Sequence, residues 1–119
     1  MLDSKGEIKI HNVLTAADLS FREEYEFPDL KGHMNVPLRF DFCVFKDNGD
    51  IWFLIEFNGE QHYHPVARFG GQKTFNRQRE NDIKKRRYCL EHDLKLITVP
   101  YYEEDKISFN YIMQAAGYY

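Results

Sequence analysis

Residues 38–64, LRFDFCVFKDNGDIWFLIEFNGEQHYH, constrain what this chain can fold into more than any other stretch. Leu38, Phe40, Phe42 and Val44 alternate with Arg39, Asp41, Cys43 and Phe45, the period of a half-buried strand. Asn48-Gly49 follows, a strong signal for a two-residue hairpin turn. Residues 51–57 are apolar except Glu56, so they read as a central strand covered on both faces. A two-residue turn pairs Asp47 with Asp50, and paired numbers then sum to 97. Asp41 falls opposite Glu56, with Cβ atoms roughly 4.5–5.5 Å apart. Two facing carboxylates on an apolar sheet repel unless one is protonated or a cation lies between them. A divalent metal with oxygen ligands meets that need. The plainer alternative is a longer turn, a register slipped by one, and one carboxylate in solvent.

The 119 residues suffice for one domain with its own core. Apolar residues make up 43% and charged residues 29%, as expected of a water-soluble globular chain, and no run approaches a membrane span. The opening residues MLDSKGEIKI have no apolar signal-peptide core. Cys43 and Cys89 offer neither a disulfide framework nor metal-ligand spacing, so a reducing intracellular setting is expected. The net charge of −3 is unevenly spread. Residues 65–90 carry eight basic side chains (Arg68, Lys73, Arg77, Arg79, Lys84, Lys85, Arg86, Arg87) against Glu80 and Asp82, a net +6 that leaves −9 elsewhere. Such a patch beside carboxylates suits a phosphodiester substrate, although a solvated helix face gives the same pattern.

In chain order, Ser4-Lys5-Gly6-Glu7 fits a capping box, and Ile10, Val13, Leu14 and Ala17 continue it as a helix. Residues 19–27 alternate as a first strand, with Glu23 unexpectedly on the apolar face, and Pro28 is expected to end it. A loop then reaches Pro37. After the hairpin, Glu60, Gln61, His62 and His64 follow a buried strand end, where scaffolds commonly hold reactive groups, and alternation would put both histidines on one side. A helix beginning at Thr74 or Asn76 and running to about Glu91 spaces Phe75, Asp82 and Cys89 by seven, with Ile83 and Leu90 beside them, so Asp82 lies on or next to the buried face, paired with an internal Arg or Lys or part of a site. Residues 94–99 form another central strand, joined to the previous one by a helix, which implies parallel pairing. A last helix over residues 105–116 buries Phe109, Ile112 and Met113. The order is α-β-β-β-α-β-α: an α/β fold with a mixed sheet flanked by helices.

Glu7, Asp41, Glu56, Asp82, His62 and His64 are thus placed for chemistry. Phosphodiester hydrolysis needs a metal to neutralise developing charge, a base for water and an acid for the leaving oxygen. Asp41 and Glu56 supply metal-binding oxygens, and a histidine titrates in the useful range. Glu7 is equally explained as a cap.

The element order, with an acid on each of strands two and three, resembles the PD-(D/E)xK restriction-endonuclease-like fold. The expected Glu-x-Lys is Glu56-Phe57-Asn58, without the lysine. KGEIKI, LRFDF, FNGEQHYH, RENDIKK and EHDLKLITVP more closely resemble the very short patch repair (Vsr-like) endonucleases and the homing endonucleases carrying an EDxHD motif. That resemblance spans residues 7–100 and implies an intracellular, cytoplasmic, prokaryotic or phage-encoded DNA endonuclease. It implies Asp41 as main Mg²⁺ ligand, with Mn²⁺ able to substitute, and Glu56 as a further metal ligand. His62 or His64 would be the acid or base, Asp82 would orient a histidine or a water, and Glu7 would hold an outer water or the histidine. Gln61 and Lys85 are weaker candidates. Arg68, Lys73, Arg77, Arg79, Lys84 and Lys85 would contact double-stranded DNA. The repair family's Cys/His zinc cluster has no counterpart here, so no structural zinc is expected, and no obvious aromatic segment exists for wedging into mismatches (Trp52 is expected in the core). The expectation is a single cleavage domain, residues 1–119, with DNA targeting in another domain or partner. Cutting both strands would need two copies. The rival readings are a nuclease-fold module that binds DNA or protein without cutting, and a hydrolase using His62-x-His64 as a zinc pair.

Overall fold

The computed structural model describes residues 4–118. Helix α1 (Lys5–Ala16) starts at the capping box: Ser4 Oγ accepts from the Glu7 amide at 3.2 Å and donates to Glu7 Oε1 at 3.0 Å. Strands β1 (Ser20–Lys31), β2 (Pro37–Phe45) and β3 (Ile51–Asn58) form an antiparallel meander. Helix α2 (Gly71–Glu91) crosses to β4 (Leu96–Pro100), which pairs parallel with β3, and α3 (Phe109–Ala115) follows. The sheet order β1-β2-β3-β4 gives the mixed four-stranded sheet expected of the sequence.

Two apolar clusters clamp the sheet. Ile10 and Leu14 of α1 and Ile112 and Met113 of α3 pack with Phe42, Val44, Phe53 and Ile55. On the other side, Cys89 of α2 packs with Phe40, Cys43 and Leu54. Residues 53–56 of β3 are all buried, which is why that run is almost wholly apolar. Glu23, on the first of these faces, is met by His11 of α1, with Nδ1 2.5 Å from Oε1. The first turn of α1 reaches the end of β3, where Gly6 lies against the Phe57 ring so closely that a Cβ would sit 2.2 Å from it.

The hairpin turn is longer than expected, yet the register survives. Lys46 donates to the Asp50 carbonyl at 2.8 Å, enclosing the loop Asp47-Asn48-Gly49, with Gly49 left-handed at φ 91°. This is a three-residue loop ending in a glycine bulge. The Phe45–Ile51 pair sums to 96, and the register shift beside it restores 97 for Val44–Phe53, Cys43–Leu54 and Phe42–Ile55. The paired residues end at Phe42–Ile55; just beyond them the Asp41 carboxylate accepts the Phe57 amide and its charge acts on the Glu56 side.

Other expectations need correction. β1 continues through Pro28 to Lys31, because β1 is an edge strand and its register shifts between Glu26 and Lys31, where a missing amide hydrogen is tolerated. Helix α2 begins at Gly71, after a left-handed Gly70. Leu90 faces outward, 83% exposed, Ile83 is 46% exposed at the edge of a cavity, and Lys85 and Tyr88 occupy the inner stripe with Asp82 and Cys89. The parallel strand starts at Leu96 rather than residue 94. Residues 101–106 form a 3₁₀ turn, so α3 is short and Phe109 remains partly exposed. Trp52 is only partly buried; it leans on the first cluster and donates to Tyr118 Oη at 2.6 Å. Among the described residues, no helix is long and apolar enough to cross a membrane.

Candidate active site

The site lies where β3 runs out against α2. Glu56 is the one buried charged side chain among the described residues, 6% exposed, and its partner comes from the helix: Lys85 Nζ donates to Oε1 at 2.6 Å. Burial pushes the Glu56 carboxyl up, and Lys85 pulls it back only in part. Across the hairpin, Asp41 Oδ2 accepts the Phe57 amide at 2.7 Å. Burial first, and then the Glu56 charge, raise Asp41 from 3.8 to about 6, against the opposing pull of the Phe57 amide, Lys85 and His62. The two carboxylates therefore sense one another, just past the last β2–β3 pair, Phe42–Ile55.

Past Asn58 and Gly59 the backbone turns, rather than extending. Residues 60–62 form a 3₁₀ turn that folds His62 onto α2, with Nδ1 3.0 Å from Asp82 Oδ2. Gln78, one turn earlier on α2, donates to Asp82 Oδ1 at 3.3 Å. An ionised carboxylate only accepts, so His62 carries its hydrogen on Nδ1 and leaves Nε2 free to take a proton. The turn also separates the two histidines. His62 is 12% exposed at the cavity, whereas His64 is 52% exposed, with Nδ1 near the Pro65 carbonyl and Nε2 4.0 Å from Glu60. The expectation that both lie on one side, as on a strand, fails because the strand has ended.

Glu56, Asn58, His62, Tyr63, Asp82 and Lys85 line a cavity of about 410 Å³, with Arg79 and Arg86 at its border. Asn58 escapes the sequence reading, although it shares the face of Glu56 by strand alternation. Its Oδ1 atom is buried without a hydrogen-bond partner. A buried carbonyl oxygen left unmatched in a polar cavity is a place for an incoming donor or cation. Glu7 holds the α1 cap, close in sequence to Gly6 and thus to Phe57, whose amide binds Asp41. Gln61 folds back over Gly59, its Oε1 2.7 Å from where a Cβ there would lie.

The basic residues divide. Arg79, Lys85 and Arg86 face the cavity; Lys73 and Arg77 flank a second hollow of about 200 Å³ along α2. Lys84 is exposed, and the Arg68 guanidinium lies 4.9 Å from the centre of the Phe69 ring.

Among the described residues, no group of three or more His, Cys, Asp or Glu side chains is arranged to hold a metal. Mg²⁺ asks for less: it is commonly held by one or two carboxylates, with waters and substrate phosphate completing six ligands. Glu56 and the unmatched Asn58 carbonyl line the cavity and are hard oxygen donors of the type it takes; Asp41 is another such donor, but it is not among the residues that line the cavity and one of its oxygens is held by the Phe57 amide.

No protein-family model matches the chain, and no solved structure matches it. Over 53 residues it is 43% identical to uncharacterized protein 094L of Frog virus 3 (isolate Goorha), covering 43% of this chain and 34% of that protein. Over 58 residues it is 38% identical to uncharacterized protein 307L of Invertebrate iridescent virus 6, covering 48% of this chain and 29% of that one. The matches thus span about a third of the length of these relatives.

Proposed function

We propose that the protein is a metal-dependent DNA endonuclease with a restriction-endonuclease-like core, similar to very short patch repair and EDxHD homing endonucleases. The observation that carries this is one cavity that gathers Glu56, Lys85 and the His62–Asp82 pair beneath a basic helix. Asp41, Glu56 and Asn58 would hold Mg²⁺, which when bound supplies charge neutralisation at the phosphate. His62 Nε2 takes the proton of the attacking water, and Asp82 holds the resulting imidazolium in place. The water displaces the 3′ oxygen: the P–O bond to water forms as the bond to the 3′ oxygen breaks, and the departing 3′ oxyanion takes a proton from solvent water to leave as the 3′ hydroxyl. Lys85 brings the missing strand lysine's positive charge to Glu56 from α2. Arg79 and Arg86 engage flanking phosphates of double-stranded DNA. The test is supercoiled plasmid with magnesium, reading nicked and linear product. Wild type cuts, whereas Asp41→Ala and His62→Ala do not; unchanged cleavage in both variants defeats the site assignment.

A module that binds without cutting is favoured by one feature, the Lys85 ammonium already occupying Glu56 Oε1. The two readings separate on thermal stabilisation by magnesium or manganese, which the enzyme shows and the module lacks.

A further inference from the structure

Three tyrosines gather where one of them, Tyr63, lines the same cavity. The register of the parallel strands sets Asn58 beside Pro100, so the segments leaving β3 and β4 emerge together. From one comes Tyr63, which lines the cavity; from the other come Tyr101 and Tyr102. Ring centroids lie 5.7 Å apart for Tyr63–Tyr101, 6.0 Å for Tyr63–Tyr102 and 5.5 Å for Tyr101–Tyr102. The cluster is not core: Tyr102 is 68% exposed and Tyr63 41%. Tyr102 meets both neighbours in T-shaped contacts, 63° and 85° between planes, so they brace it without covering it.

We propose that Tyr63, Tyr101 and Tyr102 form a stacking platform for an unpaired base of the strand whose phosphate enters the cavity. The preferred substrate is then DNA with unpaired nucleotides beside the scissile phosphate. This rests on the endonuclease reading above. Aromatic faces next to a basic groove are the means by which proteins hold single-stranded nucleic acid, since every base has a π-face and every nucleotide a negative charge. Here the positive charge is adjacent, from Arg79 and Arg86 at the border of the cavity that Tyr63 lines. Of the three acids that follow the platform, Asp105 is exposed with Lys9 3.6 Å away, and the other two are engaged. Glu103 accepts from Tyr111 Oη at 2.5 Å and lies 3.6 Å from Lys106, while Glu104 is 3.2 Å from Lys9. A base within a closed duplex has its faces occupied by neighbouring pairs and cannot use such a platform.

The test is anisotropy titration of dye-labelled oligothymidylate and of a hairpin duplex, with calcium replacing magnesium. Wild type binds the single strand more tightly. Tyr102→Ala weakens oligothymidylate binding about tenfold, with little change for the duplex. Tyr102→Phe retains wild-type binding, because the ring and not the hydroxyl does the stacking. Unchanged oligothymidylate binding in Tyr102→Ala, as expected of a tyrosine patch that meets protein, overturns the platform and leaves the endonuclease reading intact. If wild type binds neither nucleic acid, both fall.

Discussion

Lys85, on α2, donates to Glu56, on β3, across 2.6 Å, with only 12% and 7% of the two side chains exposed. The ammonium thus reaches the strand carboxylate from a helix, 29 residues further along the chain. Removing one partner of such a pair strands the other's charge in the interior, at a cost of about 3–5 kcal/mol.

Lys85→Met therefore lowers stability by about 3 kcal/mol near pH 8. Burial already raises the Glu56 carboxyl, so in the variant it takes up a proton as pH falls and the uncompensated charge disappears. The deficit shrinks as pH is lowered, and adding Glu56→Gln removes most of it at either end of the range. Urea denaturation of wild type, single and double variants at both ends checks this; a pH-independent deficit would show that packing, not charge, was lost.

Asp41 opposes stability through its ionisation. Its carboxyl is raised from 3.8 to about 6 in the fold, so between these values the unfolded chain releases its proton first and stability falls as pH rises. Below about pH 4 both states are protonated and no difference remains; above about pH 6 the deficit is complete, at most about 3 kcal/mol. Asp41→Asn keeps an acceptor for the Phe57 amide and cannot ionise. It is expected to be more stable than wild type near neutrality, indistinguishable in acid, and inactive on plasmid. Equal stabilities across this pH range would mean that the buried carboxylate is already compensated.

The two histidines offer a sharper contrast. His62→Ala removes the group that faces the cavity and costs ~100-fold or more in magnesium-dependent cleavage. His64→Ala leaves the rate unchanged, because its exposed ring touches only Pro65 and Glu60. Asp82→Asn lowers turnover by about 10- to 100-fold with little change in DNA affinity, since it positions His62 and does not meet the phosphate. Comparable losses from His62→Ala and His64→Ala would place the reaction elsewhere.

Much of this site was legible in the sequence because local signals and tertiary structure agree. Residues 51–57 are nearly all apolar since β3 is covered on both faces, and Glu56 stood out against that background. The seven-residue spacing of Phe75, Asp82 and Cys89 located the inner stripe of α2. It misplaced the neighbours because this helix covers a polar cavity rather than a purely apolar face, drawing Lys85 inward and leaving Leu90 outside. Asn58 and the tyrosine platform could not be found the same way. Tyr63 and Tyr102 meet only because β3 and β4 pair in parallel and end together. Pro28 misled for another reason: its cost depends on whether the strand has a partner on that side, and strand order is not a local property.

At Gly49 the loop is one residue longer than a two-residue hairpin, yet the strand pairs beyond it keep the register of the shorter turn. The pairs Val44–Phe53, Cys43–Leu54 and Phe42–Ile55, which lead to Asp41 and Glu56, persist because the extra loop residue is absorbed by the register shift beside Phe45–Ile51. That arrangement needs φ 91° at residue 49, a conformation that L side chains rarely adopt, although no atom lies within 4 Å of a Cβ there. Gly49→Ala is thus a test of backbone strain with no steric component, and about 1 kcal/mol of stability is expected to be lost. Gly49→Asn, which tolerates the left-handed region, recovers about half of it. Because the register is held by the packed pairs Phe42–Ile55 and Val44–Phe53 as well, cleavage by the folded protein stays unchanged in both variants. A loss of cleavage in fully folded Gly49→Ala would mean that the turn, and not the core, sets where Asp41 and Glu56 lie.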